Sequence, residues 1–239
     1  MCEITAVVSG KGGSGKTMFA SNLACVLAME GKRVLLIDMN TGLRNLDICM
    51  GVENQVIFDL ADVINGVCSI SKALIPDRRF EALYLLSASQ NYDKAKIRAA
   101  HMKKLCDMLT DRFDHIIIDT PGGLGDAWQA AVAPANRAVI IVTQEFSAVR
   151  CSDTVDMKLR ENGITKRYAV VNKVKSEYSI SGYFPSLPEI SESLRIQLAG
   201  IIQDDINIHI AMNNGVPVVC KADSYICKNF EKICTRIFD

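Results

Sequence analysis

The segment at residues 10–17, GKGGSGKT, constrains the fold of this chain more than any other part of the sequence. It fits the phosphate-binding pattern GxxxxGK[ST] and has a second lysine, Lys11, near its start. An apolar strand-like run precedes it and an apolar-periodic helical pattern follows it, which is the context that the pattern requires. Successive backbone N–H groups in such a loop form an anion nest, and the helix N-terminus adds partial positive charge. The chain is therefore predicted to bind a nucleoside triphosphate.

Each residue of this loop has a predicted position around the phosphates. The Lys16 ammonium would reach the β- and γ-phosphates, and the Thr17 hydroxyl would ligate Mg²⁺. The positions expected to surround the nucleotide are Gly10, Lys11, Gly12, Gly13, Ser14, Gly15, Lys16, Thr17 and Met18.

Apolar runs along the chain indicate an α/β fold. Continuous Val, Ile and Leu runs recur at 4–9, 34–38, 83–87, 115–119, 138–143, 168–172 and 198–202, and helical patterns cover 16–29, 94–110, 147–161 and 187–195. Continuous rather than alternating runs are typical of strands covered on both faces. The alternation of strands and helices predicts a doubly wound, mostly parallel sheet flanked by helices. With 239 residues and 49% hydrophobic content, we expect a single domain over 1–239.

Two aspartates end strand-like runs and would reach the same sheet edge as the loop. Asp119 closes HIIID and is followed by TPGG, which is typical of a Walker B acid that leads into a mobile switch; a helix cap is the alternative. Asp38 closes LLID, and Asn40 would point the same way in an extended segment. The predicted metal site therefore consists of Thr17, Asp38 and Asp119.

Composition argues against several other classes of protein. Lys+Arg and Asp+Glu both total 27, so no overall charge favours nucleic acid or a polybasic membrane contact. The start, MCEITAVV, lacks the features of a signal peptide and no run is long enough to span a bilayer, which predicts a cytoplasmic location. Nine cysteines without a CxxC pair predict buried, reduced thiols rather than a zinc or iron–sulfur site.

The loop with its extra lysine resembles the deviant Walker A motif of the ParA/MinD family of ATPases. Further blocks extend the resemblance along nearly the whole chain: DMNTGLRNLDICMGVEN (38–54), DVINGVCSISKALI (62–75), LYLLSASQNYDK (83–94), VTQEFSAVR (142–150) and AMNNGVPVV (211–219). LRNLD and SASQ lie closer to the MinD branch than to plasmid-partitioning ParA proteins. The resemblance implies ATP and Mg²⁺ as cofactors, an ATP-dependent homodimer, and septum positioning through a division-inhibitor or regulator protein.

By position, the resemblance also implies roles for single residues. Lys11 would cross a nucleotide-sandwich dimer to the partner's phosphates, as an arginine finger does in other NTPases. Lys16 would neutralise phosphate charge within its own subunit. Asn172, which ends the run YAVVN, would hydrogen-bond the adenine.

Three positions depart from the family pattern. Asn40 stands where the family usually has an Asp that orients the attacking water; an amide can orient water but cannot take up a proton, so we expect slow hydrolysis. Gln203 replaces a proline common near the adenine pocket. Cys151 replaces an acidic residue that usually follows SAVR, on a helix that relatives use for dimer or partner contacts.

The final segment, 225–239, has an amphipathic pattern with two interpretations. Its apolar residues share one helical face, and core packing is the favoured prediction, with a position on an anionic membrane surface as the alternative. In the family a linker and a short membrane-targeting helix normally follow the core, whose end the resemblance places at Asp239. Attachment to the inner face of the cell membrane is therefore left open.

Two other functions fit the same residues. A ParA-type ATPase that positions chromosomes or cargo would want a basic DNA-facing surface, which zero net charge disfavours. An ATP-locked scaffold would bind and dimerise with little hydrolysis, and Asn40 motivates that alternative.

Overall fold

An eight-stranded sheet forms the centre of the computed structural model, which describes residues 2–91, 96–175, 177–178, 182–221 and 224–239. In chain order the strands are β1 (Glu3–Val8), β2 (Val34–Asp38), β3 (Ile75–Pro76), β4 (Leu83–Leu86), β5 (His115–Asp119), β6 (Arg137–Thr143), β7 (Lys166–Val174) and β8 (Gln197–Gln203). They lie in the order β3-β4-β2-β5-β1-β6-β7-β8, and all neighbours are parallel except β3 and β4. The predicted doubly wound, mostly parallel sheet is confirmed.

Helices connect the strands and cover both faces of the sheet. They are α1 (Lys16–Met29), α2 (Leu46–Met50), α3 (Leu60–Ile64), α4 (Ile70–Ala73), α5 (Ala99–Asp107), α6 (Asp126–Val132), α7 (Phe146–Glu161), α8 (Leu187–Leu194), α9 (Ile206–Asn213) and α10 (Tyr225–Phe238), with 3₁₀ turns at Glu53–Gln55 and Val218–Cys220. The helix predicted over 94–110 is shorter, because Arg98 is extended and α5 starts after it. The predicted start at 94 and 95 lies outside the described residues.

Apolar side chains fill both faces of the sheet, since successive strand residues point to opposite sides. Val7 of β1 packs in the cluster that contains α1 and α10, whereas Val8 packs in a cluster on the other face. On the first face the rings of Phe19 and Phe230 lie with centroids 5.8 Å apart. Burial of each such side chain stabilises the fold by about 1.5–3 kcal/mol relative to exposure. This packing of helices on the sheet holds the strand ends in defined positions.

The last helix, α10, packs on the sheet, as predicted. Its apolar face, which includes Ile226, Phe230 and Ile237, is buried in the same cluster as α1. The alternative that this face lies on a membrane surface is wrong for this structure, because the sheet already covers it. Among the described residues, no helix combines the length and apolar character needed to cross a bilayer.

Both edges of the sheet are short or occupied by side chains. At one edge β3 has two residues, and Pro76 has no N–H to donate. At the other edge, two side chains of α10 donate to carbonyls of β8: Asn229 Nδ2 to Ile201 O at 2.7 Å, and Arg236 Nη1 to Ala199 O at 2.9 Å. The sheet therefore ends at defined strands on both sides.

The cysteines divide into two groups by exposure. Six are buried, as predicted: Cys2, Cys25, Cys49, Cys106, Cys227 and Cys234. The prediction was wrong for Cys151, which is exposed on α7, and Cys68 and Cys220 are half-buried. Cys151 is exposed even though it lies close to the phosphate loop, where a Cβ at Gly10 would come within 2.5 Å of the Cys151 Cβ.

Candidate nucleotide-binding site

The glycine-rich loop turns at the carboxyl end of β1 and leads directly into α1. Gly13 and Gly15 both have positive φ, +74° and +97°, which L side chains rarely adopt. At Gly15 a Cβ would also lie 2.2 Å from Nδ2 of Asn172, so glycine is required there on two grounds. The Gly15 carbonyl then accepts from the Phe19 N–H at 2.9 Å and starts the helix.

Two consecutive residues at the end of β7 hold two consecutive carbonyls of this loop. Asn172 Nδ2 donates to Ser14 O at 2.8 Å, and Lys173 Nζ donates to Gly13 O at 2.9 Å. Lys173 adopts a positive φ of 57°, which costs a non-glycine residue about 1–2 kcal/mol. With its carbonyls held in this way, the loop keeps its N–H groups for an anion. We call this pair of contacts the β7 brace; the predicted adenine contact of Asn172 stays a prediction.

Lys16 lies buried at the start of α1. It is 8% exposed, and its Nζ donates to Ser9 Oγ at 3.2 Å. Burial lowers the pKa of Lys16, and the nearby charge of Asp119 opposes that effect. A phosphate beside this ammonium would offset the cost of its burial by a charge-assisted hydrogen bond.

Lys11 contacts the carboxylate of Glu145, at the start of α7 in its own chain. Both side chains are more than two-fifths exposed. The hydrogen bond from Lys11, more than any other contact, lowers the pKa of Glu145. A Lys11 that served another subunit would first have to leave Glu145.

The two predicted metal-site carboxylates lie side by side at the ends of β2 and β5. Asp38 and Asp119 are paired in register and fully buried. Thr17 Oγ1 donates to Asp119 Oδ2 at 2.6 Å. Asn40 Nδ2 lies between the acids and donates to Asp38 Oδ1 at 3.1 Å and Asp119 Oδ2 at 2.9 Å. The structure thus brings together all three predicted metal ligands and Asn40.

The electrostatics of this acid pair fit a divalent cation. Burial, followed by the charge of Asp38, raises the pKa of Asp119 to about 7, against the opposing effects of Thr17 and Lys16. Burial also raises the pKa of Asp38. Asp119 Oδ1 is buried without a hydrogen-bond partner in the described part of the chain. Mg²⁺ beside phosphates is commonly held by one or two carboxylates and a hydroxyl, so these residues fit the ion.

A cavity of about 550 Å³ opens beside the loop, within the size range of small-molecule sites. Of the predicted site residues, it is lined by Gly12, Gly13, Gly15, Lys16, Thr17, Met18, Asn40 and Asn172. Lining residues that were not among the predicted site residues include Asn45, Ile48, Cys49, Gly122, Lys173, Asp204, Ile208, His209, Met212 and Asn213. Gln203, noted in the sequence only as a departure from the family, also lines it. A larger cavity of about 880 Å³ adjoins it and shares Asn40 and Gly122, but it lacks the phosphate loop.

The fold and this site define a P-loop nucleotide-binding protein with a deviant Walker A motif. A family model described as an AAA domain matches residues 2–177. The septum site-determining protein MinD of Bacillus subtilis is 38% identical over 239 residues, which covers 99% of this chain and 89% of that protein. The chain therefore belongs to the MinD family of septum site-determining ATPases, as the resemblance predicted.

Solved structures of MinD proteins superpose on the whole chain. A MinC:MinD cell division protein complex of Aquifex aeolicus matches with a TM-score of 0.90 and 33% identity, over 99% of this chain and 96% of that chain. MinD of Pyrococcus horikoshii, complexed with Mg-ADP, matches with a TM-score of 0.90 and 26% identity, over 100% of this chain and 97% of that chain.

Proposed function

We propose that this protein is an ATP-dependent switch for placing the division septum. It binds ATP with Mg²⁺, forms a homodimer through its nucleotide face and hydrolyses ATP slowly. The observation that carries the proposal is that the glycine-rich loop and Asn40 line one cavity, while Thr17 and Asn40 both donate to the buried Asp119 beside it. Membership of the MinD family supports the role in septum placement.

Within one subunit, the loop and its neighbours bind and orient the triphosphate. Lys16 and the loop N–H groups would hold the β- and γ-phosphates, while Thr17, Asp38 and Asp119 would hold Mg²⁺. The bound ion would neutralise charge on the phosphate oxygens. Asn40 orients the attacking water through its amide oxygen, and it cannot accept the proton of that water. Slow turnover follows from that limit.

Between subunits, Lys11 completes the site. Its position on the outer part of the loop and its exposure leave it able to reach a second molecule. A cation delivered in this way accelerates phosphoryl transfer by roughly 10³–10⁵ in NTPases that use an arginine finger. ATP binding, dimerisation and hydrolysis are then coupled through one side chain.

The output of the switch is recruitment of a partner protein. The MinC:MinD complex of Aquifex aeolicus, to which the chain is similar, supports a MinC-like division inhibitor as that partner. We place the protein in the cytoplasm, with peripheral membrane attachment as a further property to be tested.

The presence of Asn40 favours a second candidate function: an ATP-locked scaffold that dimerises with ATP but hardly hydrolyses it. The two candidates differ in steady-state ATP turnover by the dimer. Measurable turnover that depends on Lys11 supports the switch, whereas a stable dimer with none supports the scaffold.

Light scattering during size-exclusion chromatography tests the proposal. We expect a monomer with ADP and a dimer with ATP and Mg²⁺, and Lys11→Ala should lower ATP turnover. Lys166→Ala, an exposed lysine on β7, is the matched control and should behave as the wild type. Repeating the measurement with anionic liposomes and with DNA shows whether the dimer binds either of them. A protein that stays monomeric with ATP and with ADP, and that binds neither liposomes nor DNA, would refute the proposed switch function.

A further inference from the structure

Two cysteines from separate elements meet behind the nucleotide cavity. Cys25 lies on α1 and Cys220 ends the 3₁₀ turn at Val218–Cys220, and each thiol lies close enough to the other to shift its pKa. The turn is fixed on α1, because Val219 N donates to Asn22 Oδ1 at 3.1 Å, one helical turn before Cys25. Both thiols pack in the cluster that contains α1 and α10. The hydrogen bond from Val219 and the shared apolar cluster therefore keep the two residues next to each other.

The two thiols differ in access to solvent and in charge environment. Cys25 is fully buried, whereas Cys220 is half-buried. The interaction with Cys25 lowers the pKa of Cys220; burial opposes this effect, and the charge of Arg79 adds to it. Arg79 is fixed near them, since its Nη2 pairs with Asp77 Oδ2 at 2.5 Å and its Nη1 donates to Gly215 O at 3.3 Å. Cys220 is thus the thiol that a small oxidant reaches first and whose thiolate attacks that oxidant first.

We propose that Cys25 and Cys220 form a reversible dithiol–disulfide site. Hydrogen peroxide, or another two-electron oxidant of that class, oxidises the Cys220 thiolate to a sulfenic acid and is reduced to hydroxide. The Cys25 sulfur then displaces the hydroxyl group as water and forms the disulfide. A dithiol reductant returns both thiols by exchange.

The disulfide would join two walls of the nucleotide cavity. α1 begins at the phosphate loop, and the turn that ends in Cys220 follows α9, whose Ile208 and Met212 line the cavity. A covalent link between them restricts opening of α9 away from α1. This consequence concerns the fold and does not depend on the proposed ATPase function.

Oxidation of the folded protein by hydrogen peroxide tests the proposal, in a Cys151→Ser background that removes the exposed thiol. We expect a loss of two hydrogen atoms by intact mass and a cross-linked peptide that joins residues 25 and 220. Hydrogen exchange of the α9 amides should slow in the oxidised protein and recover with dithiothreitol. Cys25→Ser should instead leave a sulfenic acid on Cys220, trapped by dimedone.

Cys220→Ser and Cys106→Ser are the matched variants. Cys220→Ser replaces a half-buried thiol, should keep the fold, and should abolish the cross-link and the mass change. Cys106→Ser removes a buried thiol elsewhere and should retain both. Oxidised wild-type protein with both thiols free, or with Cys220 linked to a residue other than Cys25, would overturn the proposal.

Discussion

When no cation is bound, the Asn40 side chain is the neutral group that bridges the two buried carboxylates. Its amide nitrogen donates to both Asp38 and Asp119, so one neutral group offsets part of the repulsion between two acids. An aspartate at this position would accept a proton from water but would add a third negative charge. The same substitution should therefore have opposite effects on hydrolysis and on stability.

Asn40→Asp should raise steady-state ATP turnover with Mg²⁺ by about a hundredfold, because a carboxylate can act as a general base. Without Mg²⁺ the variant should lose about 1–3 kcal/mol of unfolding free energy, because two hydrogen bonds to charged groups are lost. Urea unfolding with and without Mg²⁺ measures the second effect. Asn54→Asp, on the exposed turn at Glu53–Gln55, should change neither quantity. An unchanged ATPase rate in Asn40→Asp would refute the role of Asn40 in slowing hydrolysis.

Gly15→Ala should abolish nucleotide binding, because its Cβ would displace the Asn172 amide in addition to straining a φ of +97°. Fluorescence titration with a labelled ADP analogue measures the loss. Gly163→Ala is the matched control: its φ is +77°, and a Cβ there meets nothing within 4 Å. The control should lose about 1–2 kcal/mol of stability from backbone strain alone and keep its affinity. Equal affinities in the two variants would contradict the steric argument.

At the scale of elements, the β7 brace connects a strand end to the phosphate loop. Lys173→Ala should weaken ADP binding about five- to tenfold, because the Gly13 carbonyl loses a charge-assisted donor and the loop is less well ordered. Isothermal titration calorimetry measures the change. Lys166→Ala removes the same charge from the exposed start of the same strand. A larger loss of ADP affinity in Lys173→Ala than in Lys166→Ala would support the role of the β7 brace. Equal small losses in the two variants would mean that only the net charge affects ADP affinity.

An ion pair joins the amino ends of two neighbouring strands, just before β2 and β5. Hydrogen bonds from Arg33 to its carboxylate lower the pKa of Asp114 from 3.8 to about 2. A carboxyl with a folded-state pKa below its unfolded value stabilises the protein above the unfolded value and loses that contribution as pH falls. The stability that Asp114 provides should therefore disappear between about pH 5 and pH 2.

Urea unfolding of Asp114→Asn across that range should show a gap from the wild type that narrows as pH falls. The gap should be small, because the pair is largely exposed. Asp107→Asn, an exposed aspartate at the end of α5, should follow the wild-type profile. A gap that is constant with pH would exclude titration of Asp114 as its cause.

The strands and the phosphate loop were predictable because each has a strong local signal. Continuous apolar runs mark β2 and β5, and the spacing of glycines and lysine marks the loop. α9 was not predictable: its sequence INIHIAMN carries apolar residues around the whole helix, and Ile206 and Ile210 are exposed. The contact of Lys173 with the phosphate loop was also missed, because a lysine near the end of a strand is commonly a solvated surface side chain. Its role depends on a contact 160 residues away in the chain.

At the scale of the whole molecule, we expect the pairing of Lys11 with Glu145 to oppose the proposed dimerisation. Glu145→Gln should release Lys11 and let ATP drive dimerisation at a protein concentration up to about fivefold lower, since an exposed ion pair contributes 0.2–1 kcal/mol. Light scattering over a dilution series measures the midpoint. Glu161→Gln breaks another exposed lysine pair, with Lys158, and should leave the midpoint unchanged. Weaker dimerisation by Glu145→Gln would show that Glu145 serves the dimer rather than restraining Lys11.

The occupied edges of the sheet limit how copies of this protein can associate. Strand addition requires a row of free N–H and C=O groups on an edge strand. Pro76 interrupts that row on β3, and on β8 the Ala199 and Ile201 carbonyls already accept bonds from α10. A high local concentration should therefore not convert the protein into an extended β-assembly. Association of copies is therefore left to faces built from helices and loops, which include the nucleotide face of the proposed dimer.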